Sequence, residues 1–251
     1  MIIAQISDSH IDPDSPYAAA RVRDLERCVS DINRLAPLPD VVIHTGDLTH
    51  DGTSSKYEVV LSVLEGLHCP LHVAAGNRDD RALIRANFPI GRNLLPDTPF
   101  IQYVVDTYPV RLIALDTLSA TSNMGDYCQL RADSLSRTLA EDASKPTALF
   151  MHHPPFEVVQ SKYRFQFDQW DAVGCLAQAL EGKDQVVRAF SGHAHRDAVG
   201  LIAGIPVSSV PSVAIDLRLG EFPGAAATAP VYQIHRFDGD RRFVTETRTA
   251  A

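Results

Sequence analysis

Residues 1–10 read MIIAQISDSH, in which the apolar run Ile2–Ile6 leads directly into polar residues that include Asp8 and His10. The same succession of an apolar run and a polar cluster recurs at Gly46-Asp47, Gly76-Asn77-Arg78-Asp79, His152-His153-Pro154-Pro155 and Gly192-His193-Ala194-His195. Short apolar runs that are bounded by glycine, proline and polar residues are typical of buried strands. The sequence therefore predicts five strands whose ends carry chemically active side chains.

Helices are predicted between these strands. Apolar residues recur at spacings of three and four within residues 18–36, which is the pattern of one helix face. Residues 55–67, 130–142 and 168–181 also have helical character. Strands that alternate with helices favour parallel pairing through crossover connections.

The second half of the chain has a different pattern. Residues 101–105 and 111–116 flank Tyr108-Pro109 and predict a hairpin. Beyond residue 198 we expect strands and no helices, at 198–203, 205–210, 231–237 and 242–248, with a flexible surface loop at 220–229. The tail is thus expected to supply an antiparallel sheet. Together the two halves predict an α/β (α+β) chain, a β-sandwich flanked by helices rather than one doubly wound sheet.

Composition narrows the class of protein. The chain has 251 residues, a net charge of −8 and 45% hydrophobic residues, which fits a globular protein with ample core. We interpret it as a single domain over residues 1–251. The acidic balance argues against binding along nucleic-acid backbones. The four separated cysteines are interpreted as free thiols, and we expect no membrane span and a cytoplasmic location.

The five polar clusters indicate a metal site. Ligands gather where the carboxyl ends of strands meet, so these carboxylates, imidazoles and the Asn77 amide are expected to converge. Mixed oxygen and nitrogen ligands suit Zn, Mn or Fe better than Ca or Mg. Seven candidate ligands are too many for one tetrahedral ion, whereas they suit two ions that share a carboxylate. Paired divalent ions are a common device for in-line displacement at phosphorus.

The order D-x-H, G-D, G-N-x-D, H and G-x-H between residues 8 and 195 resembles the signature of calcineurin-like metallophosphoesterases. The segments ISDSH, MHHPPF and SGHAH are similar to class III cyclic-nucleotide phosphodiesterases and related bacterial glycerophosphodiesterases. The resemblance implies a four-layer αββα sandwich with two mixed sheets. It also implies two metal positions that share Asp47, one formed by Asp8, His10 and His195, the other by Asn77, His152 and His193.

Other polar residues receive secondary interpretations. His152 is preferred over His153 as a ligand because it leaves the strand first, and His153 is expected behind it or against the following prolines. Asp12, Asp79 and Asp116 are candidates to orient ligands or backbone amides, or they are ordinary loop carboxylates. The default for four further histidines is a structural role: His44, His50, His72 and His235.

Arg78 departs from the resemblance, since the family usually carries histidine at this position. Arginine can hold a phosphoryl oxygen, but it cannot donate a proton as a general acid, because its pKa exceeds about 12. We therefore expect catalytic roles for Asp47, Asn77 and Arg78, with substrates whose leaving groups need little protonation. An aromatic group at Tyr163, Phe165, Phe167 and Trp170 is interpreted as a base-stacking wall or as ordinary packing.

The sequence thus predicts an enzyme that hydrolyses a small phosphodiester by in-line attack of a metal-bridging hydroxide. Cyclic nucleotides, 3′,5′ or 2′,3′, are the leading substrates, and glycerophosphodiesters or other small phosphodiesters are the alternative. An inactive metal-binding scaffold for a partner protein is the alternative outside the enzyme class. A homodimer through the C-terminal sheet is compatible with this interpretation.

Overall fold

A computed structural model of the chain describes residues 1–240 and 242–250. The strands of the described residues are β1 Ile2–Ile6, β2 Val41–His44, β3 Leu71–Val73, β4 Arg92–Asn93, β5 Tyr103–Val105, β6 Arg111–Ala114, β7 Thr147–Phe150, β8 Val186–Ser191, β9 Ala198–Ile202, β10 Ile205–Ser209, β11 Val231–Phe237 and β12 Phe243–Thr249. The α-helices are α1 Ala18–Asn33, α2 Ser54–Leu64, α3 Arg81–Asn87, α4 Gln129–Glu141 and α5 Trp170–Leu180.

The strands form two mixed sheets. The first has five strands in the order β12-β11-β1-β2-β3, and the second has seven in the order β4-β5-β6-β7-β8-β10-β9. Strands β1, β2 and β3 are parallel to one another, as are β6, β7 and β8. Five of the parallel strands, β1, β2, β3, β7 and β8, are those whose ends carry the polar clusters. Parallel alignment brings the ends of neighbouring strands to the same edge of each sheet.

Alternation of side chains along the second sheet separates two hydrophobic cores. In β6 and β7, Leu112 and Phe150 face a core that contains the first sheet and the apolar sides of α1 and α2. Their neighbours Ile113 and Leu149 point the other way, into a core shared with α4 and α5. Side chains two residues apart share a face, so one strand can serve both cores. The layers are helix, sheet, sheet and helix, which confirms the predicted αββα sandwich.

The prediction of a separate antiparallel C-terminal sheet was wrong. Strands β11 and β12 join the first sheet, whereas β9 and β10 complete the second. Strand β10 is parallel to β8, with Ser208 beside Phe190, and antiparallel to β9. The β11–β12 hairpin therefore extends the first sheet next to β1, and the β9–β10 hairpin extends the second sheet next to β8.

Smaller features also differ from expectation. Helix α3 and the short strand β4 were not predicted. The tail contains two single-turn 3-10 helices, at Ile215–Leu217 and Gly224–Ala227, and the second lies inside the expected loop at 220–229. Residues 241 and 251 of the predicted tail lie outside the described residues.

Two further expectations concern residue types. The four cysteines are free, as predicted, and Cys28 is buried in the first core. Among the described residues, no helix combines the length and the apolar character that crossing a membrane requires.

Candidate metal centre and active-site cavity

The polar clusters converge between the two sheets because their backbone turns sharply as each strand ends. Five of the predicted ligands adopt left-handed backbone, with φ between 43° and 62°: Asp8, His10, Asp47, His193 and His195. This conformation costs a residue other than glycine about 1–2 kcal/mol. Such strain persists only where surrounding contacts fix it, and it is concentrated at functional sites.

Two glycines permit the close approach of these turns. A Cβ atom on Gly76 would overlap the backbone nitrogen of Asp47, and one on Gly192 would overlap the hydroxyl of Ser7. A Cβ on Gly192 would also lie 2.7 Å from Oδ2 of Asp8. Glycine at positions 76 and 192 is therefore required by contact between loops from different strands.

Asp8, His10 and His195 form the first group of ligand atoms. Nε2 of His10 and Nε2 of His195 are 3.1 Å apart. Oδ1 of Asp8 lies 3.3 Å from His195 Nε2 and 3.8 Å from His10 Nε2. This carboxylate oxygen is buried and accepts no hydrogen bond. Buried carboxylate oxygens are ordinarily satisfied, so an oxygen that faces two imidazole nitrogens is suited to a cation.

Asn77, His152 and His193 form the second group. Nε2 of His152 lies 3.0 Å from Oδ1 of Asn77 and 3.2 Å from Nδ1 of His193. The His152 ring is fixed from behind, because its Nδ1–H donates to the carbonyl of Thr45 at 2.8 Å. His195 is fixed likewise, through Nδ1–H to the carbonyl of Leu217 at 3.0 Å. These bonds select the tautomers that direct the Nε2 lone pairs into the site.

Asp47 lies between the two groups. Its Oδ2 is 3.4 Å from Nε2 of His10 and 3.5 Å from Nε2 of His152, which belong to different groups. Its Oδ1 accepts the backbone N–H of Arg78 at 2.8 Å, which holds the carboxylate in this orientation. The donor set thus fits two divalent cations that share one carboxylate.

Electrostatics give the candidate ligands different protonation states. Burial holds the imidazoles of His10 and His193 neutral, with pKa values of about 4 and about 3. Burial opposes ionisation of Asp8, but His195 and the neighbouring imidazoles outweigh it and keep the Asp8 pKa well below its usual range. Burial also disfavours charge on His152, yet Asp47 and Asp8 raise its pKa to about 9. A cation at His152 therefore displaces a proton.

His153 is placed behind the ligands. Its Nδ1 is 2.9 Å from the hydroxyl of Thr117, and its Nε2–H donates to the carbonyl of Asn123 at 3.2 Å. Both nitrogen atoms are thereby occupied, although the ring packs 4.3 Å from that of His193. The imidazole supports His193 sterically and connects it to the loop that contains Asn123.

Asp79 organises the backbone of the metal loops. Its carboxylate accepts N–H groups of Leu48, Thr49 and Gly76 at 3.0–3.4 Å, and the hydroxyl of Tyr57 at 3.0 Å. Burial, together with the charge of Asp47, raises the pKa of Asp79 to about 7. Of the other two candidate carboxylates, Asp116 binds Arg81 and the amides of Ile101 and Leu118. Asp12 pairs instead with Lys56 at 2.8 Å.

His44 has a role near the site that sequence reasoning missed. Its Nδ1 accepts the N–H of Gly46 at 3.2 Å, and its Nε2–H donates to the hydroxyl of Ser9 at 3.0 Å. The Ser9 hydroxyl in turn donates to the carbonyl of Leu48. His44 therefore connects the loop of Asp8 and His10 to the loop of Asp47. The available signal was its position, three residues before Asp47 at the end of an apolar run.

A cavity of about 420 Å³ opens directly onto the ligand groups. The candidate ligands His10, Asp47, Asn77, His193 and His195 line this cavity together with Arg78. The remaining lining residues, here called the cavity walls, are Asn123, Met124, Ser161, Tyr163, Gln166, Ala194 and Leu219. Of the predicted aromatic group, Tyr163 alone lines this cavity. Phe165 and Trp170 pack against each other on the surface with ring centres 5.1 Å apart, and Phe167 is buried in the second core.

Comparison with known proteins agrees with this geometry. Residues 1–197 match the calcineurin-like phosphoesterase family. A probable glycerophosphodiester phosphodiesterase of Arcobacter nitrofigilis is 30% identical, over 98% of this chain and 92% of its own length. A probable cyclic nucleotide phosphodiesterase of Rhodopseudomonas palustris is 34% identical, over 83% of this chain and 78% of its own.

The fold is also found among solved structures. A dimetal phosphatase from Danio rerio superposes with a TM-score of 0.78 at 15% identity, over all of this chain and 96% of that one. The family to which residues 1–197 match uses a dinuclear centre of divalent metals, and the two ligand groups fit this use. The chain therefore belongs to the calcineurin-like phosphoesterase family and is a metal-dependent phosphodiester hydrolase.

Proposed function

We propose that this chain hydrolyses a small phosphodiester, with a cyclic nucleotide as its leading substrate. Asp8, His10 and His195 would hold one divalent cation, and Asn77, His152 and His193 the other. The observation that carries this proposal is the position of Asp47, whose Oδ2 lies 3.4 Å and 3.5 Å from nitrogen atoms of the two groups. The mixed oxygen and nitrogen donors favour Mn, Fe or Zn.

Two cations in this place would supply an acidified water as nucleophile and offset the charge of the phosphoryl oxygens. The residues of the chain provide the orientation. Asp47 is held in its shared position by the N–H of Arg78. The Arg78 side chain lines the same cavity, where its guanidinium N–H groups can hold a phosphoryl oxygen as charge develops. Arg78 supplies no proton to the leaving oxygen, which favours strained or acidic leaving groups.

The cavity walls favour a substrate with one negative charge and a flat, partly apolar body. Among the described residues that line the cavity, Arg78 is the one arginine or lysine, which suits a phosphodiester better than a more highly charged ester. Tyr163, Met124 and Leu219 offer apolar surface, and Asn123 and Gln166 offer amide groups. This combination can stack on a nucleobase and hydrogen-bond to its edge.

Glycerophosphodiesters are the second candidate. The similarity to a probable glycerophosphodiester phosphodiesterase extends over 98% of this chain, and so includes the segments that form the cavity walls. A glycerol group is smaller and more polar than a nucleoside, so it would use the amides of Asn123 and Gln166 more than the Tyr163 ring.

Purified protein with Mn²⁺, assayed on 3′,5′- and 2′,3′-cyclic nucleotides, glycerophosphodiesters and bis-p-nitrophenyl phosphate, separates these candidates. We expect the highest kcat/KM for a cyclic nucleotide, and a Tyr163→Ala variant that loses cyclic-nucleotide turnover while it retains glycerophosphodiester turnover. The reverse ranking would make the glycerophosphodiester the substrate. No turnover of any phosphodiester with Mn, Fe or Zn would leave the inactive scaffold as the interpretation.

A further inference from the structure

Residues 211–219, here called the strap, pass behind one group of ligands. The N–H of Val213 donates to the carbonyl of Ser7 at 3.0 Å, and the hydroxyl of Ser212 donates to the carbonyl of Asp8 at 2.7 Å. Further along, Leu217 accepts Nδ1–H of His195 at 3.0 Å, and Leu219 donates to the carbonyl of the same histidine at 2.8 Å. The strap therefore contacts the backbone of Asp8 and both the ring and the backbone carbonyl of His195.

An ion pair connects the strap to His10. Arg21 of α1 is 5% exposed, and its Nε and Nη2 donate to the carboxylate of Asp216 in the strap at 2.7–3.3 Å. Its remaining arm, Nη1, donates to the carbonyl of His10 at 3.0 Å. One guanidinium thus holds His10 directly and holds His195 through Asp216 and the adjacent carbonyl of Leu217.

Helix α1 makes a second attachment to the strap. Oδ2 of Asp24, one turn after Arg21, accepts the N–H of Ile215 at 3.1 Å. The 3-10 turn Ile215–Leu217 is therefore fixed to the helix at Ile215 and Asp216, which orients the carbonyl of Leu217 towards His195.

These contacts are directed to one metal position. Asp8, His10 and His195 all have left-handed backbone, which outside contacts must stabilise. In the second group, His152 is fixed instead by the carbonyl of Thr45, and no described hydrogen bond of Arg21 or Asp216 reaches Asn77, His152 or His193. The two positions are thus supported mainly by different parts of the fold. One hydrogen bond joins them, from the N–H of His193 to Oδ2 of Asp8 at 3.0 Å.

We propose that Arg21 and Asp216 are positioning residues that set the cation affinity of the Asp8–His10–His195 position and leave the other position unchanged. The inference rests on the dinuclear centre proposed above. Loss of the Arg21 guanidinium removes the hydrogen bonds to the carbonyl of His10 and to the carboxylate of Asp216 in the Ile215–Leu217 turn. Without these contacts, the Nε2 atoms of His10 and His195 no longer converge. Contacts behind metal ligands commonly contribute 10–100-fold to affinity.

The test titrates Mn²⁺ into the metal-free full chain by calorimetry, with electron paramagnetic resonance to distinguish paired from single ions. The variants are Arg21→Lys, which keeps the positive charge and loses the guanidinium, and Asp216→Asn, which keeps the size of the side chain and loses its charge. We expect one of two Mn²⁺ affinities to fall about 10-fold or more, and the spectrum of coupled ions to be replaced by that of a single ion. Excess Mn²⁺ should restore turnover with an unchanged KM.

Combining Arg21→Lys with a second substitution shows which of the two cation positions it affects. In Asn77→Ala, which retains the Asp8 position, Arg21→Lys should weaken the remaining Mn²⁺ site by the same factor. In His195→Ala, which retains the other position, Arg21→Lys should have no further effect. Equal losses in both backgrounds, or none in either, would overturn the inference.

Arg218→Lys is the matched control. Arg218 is also in the strap, but it donates to the carbonyls of Ala226 and Ala229, away from the ligands, and its replacement should leave both affinities unchanged. If Arg218→Lys weakens the same ion, the strap acts by general folding and the inference is wrong. If Arg21→Lys does not fold, Ser212→Ala removes the hydroxyl that contacts the carbonyls of Asp8 and Ala214, and it must still weaken the binding of one ion. Fewer than two Mn²⁺ in the unsubstituted chain would instead refute the dinuclear centre.

Discussion

Arg78 is the residue at which this site differs most from the resemblance its sequence carries. Its N–H fixes the shared carboxylate of Asp47, and its side chain lines the cavity. Any residue except proline can supply the N–H, so the proposed effect on leaving-group chemistry belongs to the side chain. Arginine stabilises charge on phosphoryl oxygens, whereas histidine could also protonate an alkoxide as it leaves.

Substitution of Arg78 should therefore change which substrates are hydrolysed. We expect Arg78→Ala to lower kcat/KM about 10²–10³-fold on all phosphodiesters, as for loss of one transition-state donor. Arg78→His should favour alkyl leaving groups, with the ratio of glycerophosphodiester to bis-p-nitrophenyl phosphate turnover rising about 10-fold or more. Steady-state kinetics on both substrates measures this, and an unchanged Arg78→Ala enzyme would show that the side chain has no part in catalysis.

Asp79 gives a prediction about a residue behind the ligands. Its carboxylate accepts three backbone N–H groups and the Tyr57 hydroxyl. In Asp79→Asn one acceptor oxygen becomes a donor that faces these N–H groups, so we expect turnover to fall about 10–100-fold. Asp51→Asn, which removes only a half-exposed partner of Lys56, is the control and should leave turnover unchanged. Similar losses in both variants would argue against a specific role for Asp79.

At the scale of single residues, the sequence indicated which candidate ligands lie close together, but it did not indicate which residues support them. The spacing of the motifs indicated Asp8, Asp47 and His152 as candidate ligands. In the structure, the oxygen and nitrogen atoms of these three side chains lie within a few ångströms of one another. The role of His44 could not be predicted, because its partners Ser9 and Gly46 are known only once β1 and β2 are paired. Its position three residues before Asp47 was the available signal, but that position does not by itself distinguish support of the site from ordinary packing.

Among the elements, strands were predicted most closely, since continuous apolar runs mark them directly. Helix α3 was not predicted because it has only seven residues and one buried side chain, Ile84. Its start does carry a signal, as Asp80 caps the helix by accepting the N–H of Leu83 at 2.9 Å. The sheet to which each tail strand belongs was mispredicted because pairing of β10 with β8 depends on distant residues.

The end of strand β8 provides a prediction about close contact between elements. In Gly192→Ala the new methyl group would meet Ser7 and Asp8, so we expect loss of Mn²⁺ binding and a lower unfolding temperature. Gly174→Ala in helix α5 is the matched control, because nothing lies within 4 Å of its added carbon. That variant should raise stability by about 0.5–1 kcal/mol through better helix propensity.

Calorimetric unfolding and a Mn²⁺ titration of both alanine variants check this pair. A Gly192→Ala variant that binds Mn²⁺ as the unsubstituted chain does would show that the loops can separate without cost to the site.

For the whole molecule, the pH dependence of stability should depend in part on His235 of β11. The imidazole is fully buried between Gln5 and Thr245. Burial, and then the charge of Arg188, hold the pKa of His235 well below its ordinary value of 6.5. A histidine with a lowered folded-state pKa stabilises the fold above its unfolded-state pKa, and this contribution is lost as the pH falls below about 6.5.

We therefore expect the difference in unfolding free energy between the unsubstituted chain and His235→Gln to shrink as the pH is lowered from 7.5 to 5.5, by at most about 1.4 kcal/mol. Urea unfolding with a chelator present, which removes effects of bound metal, measures it. The exposed His68→Gln is the control for replacing a histidine by glutamine outside the core. A constant difference for His235→Gln would contradict the prediction.

Net charge illustrates what whole-chain composition can predict. The value of −8 argued against binding along nucleic-acid backbones, and it does not oppose a small anion, because two divalent cations would bring about +4 into one cavity. Composition could not predict the location of that cavity. Part of its lining comes from loops near residues 123 and 163, which are joined by the pairing of Gly125 with Phe167 and by a hydrogen bond from Ser122 to Asp168.

The ligands are drawn from both sheets, and this has a consequence for how the molecule matures. Asp8, Asp47 and Asn77 follow strands of the first sheet, whereas His152 and His193 follow strands of the second. Neither half of the chain contains all the residues of a proposed cation position, so we expect a nascent or partly folded chain to be inactive. We therefore expect turnover to begin only once the two sheets have docked, so the onset of hydrolysis during refolding would report that docking.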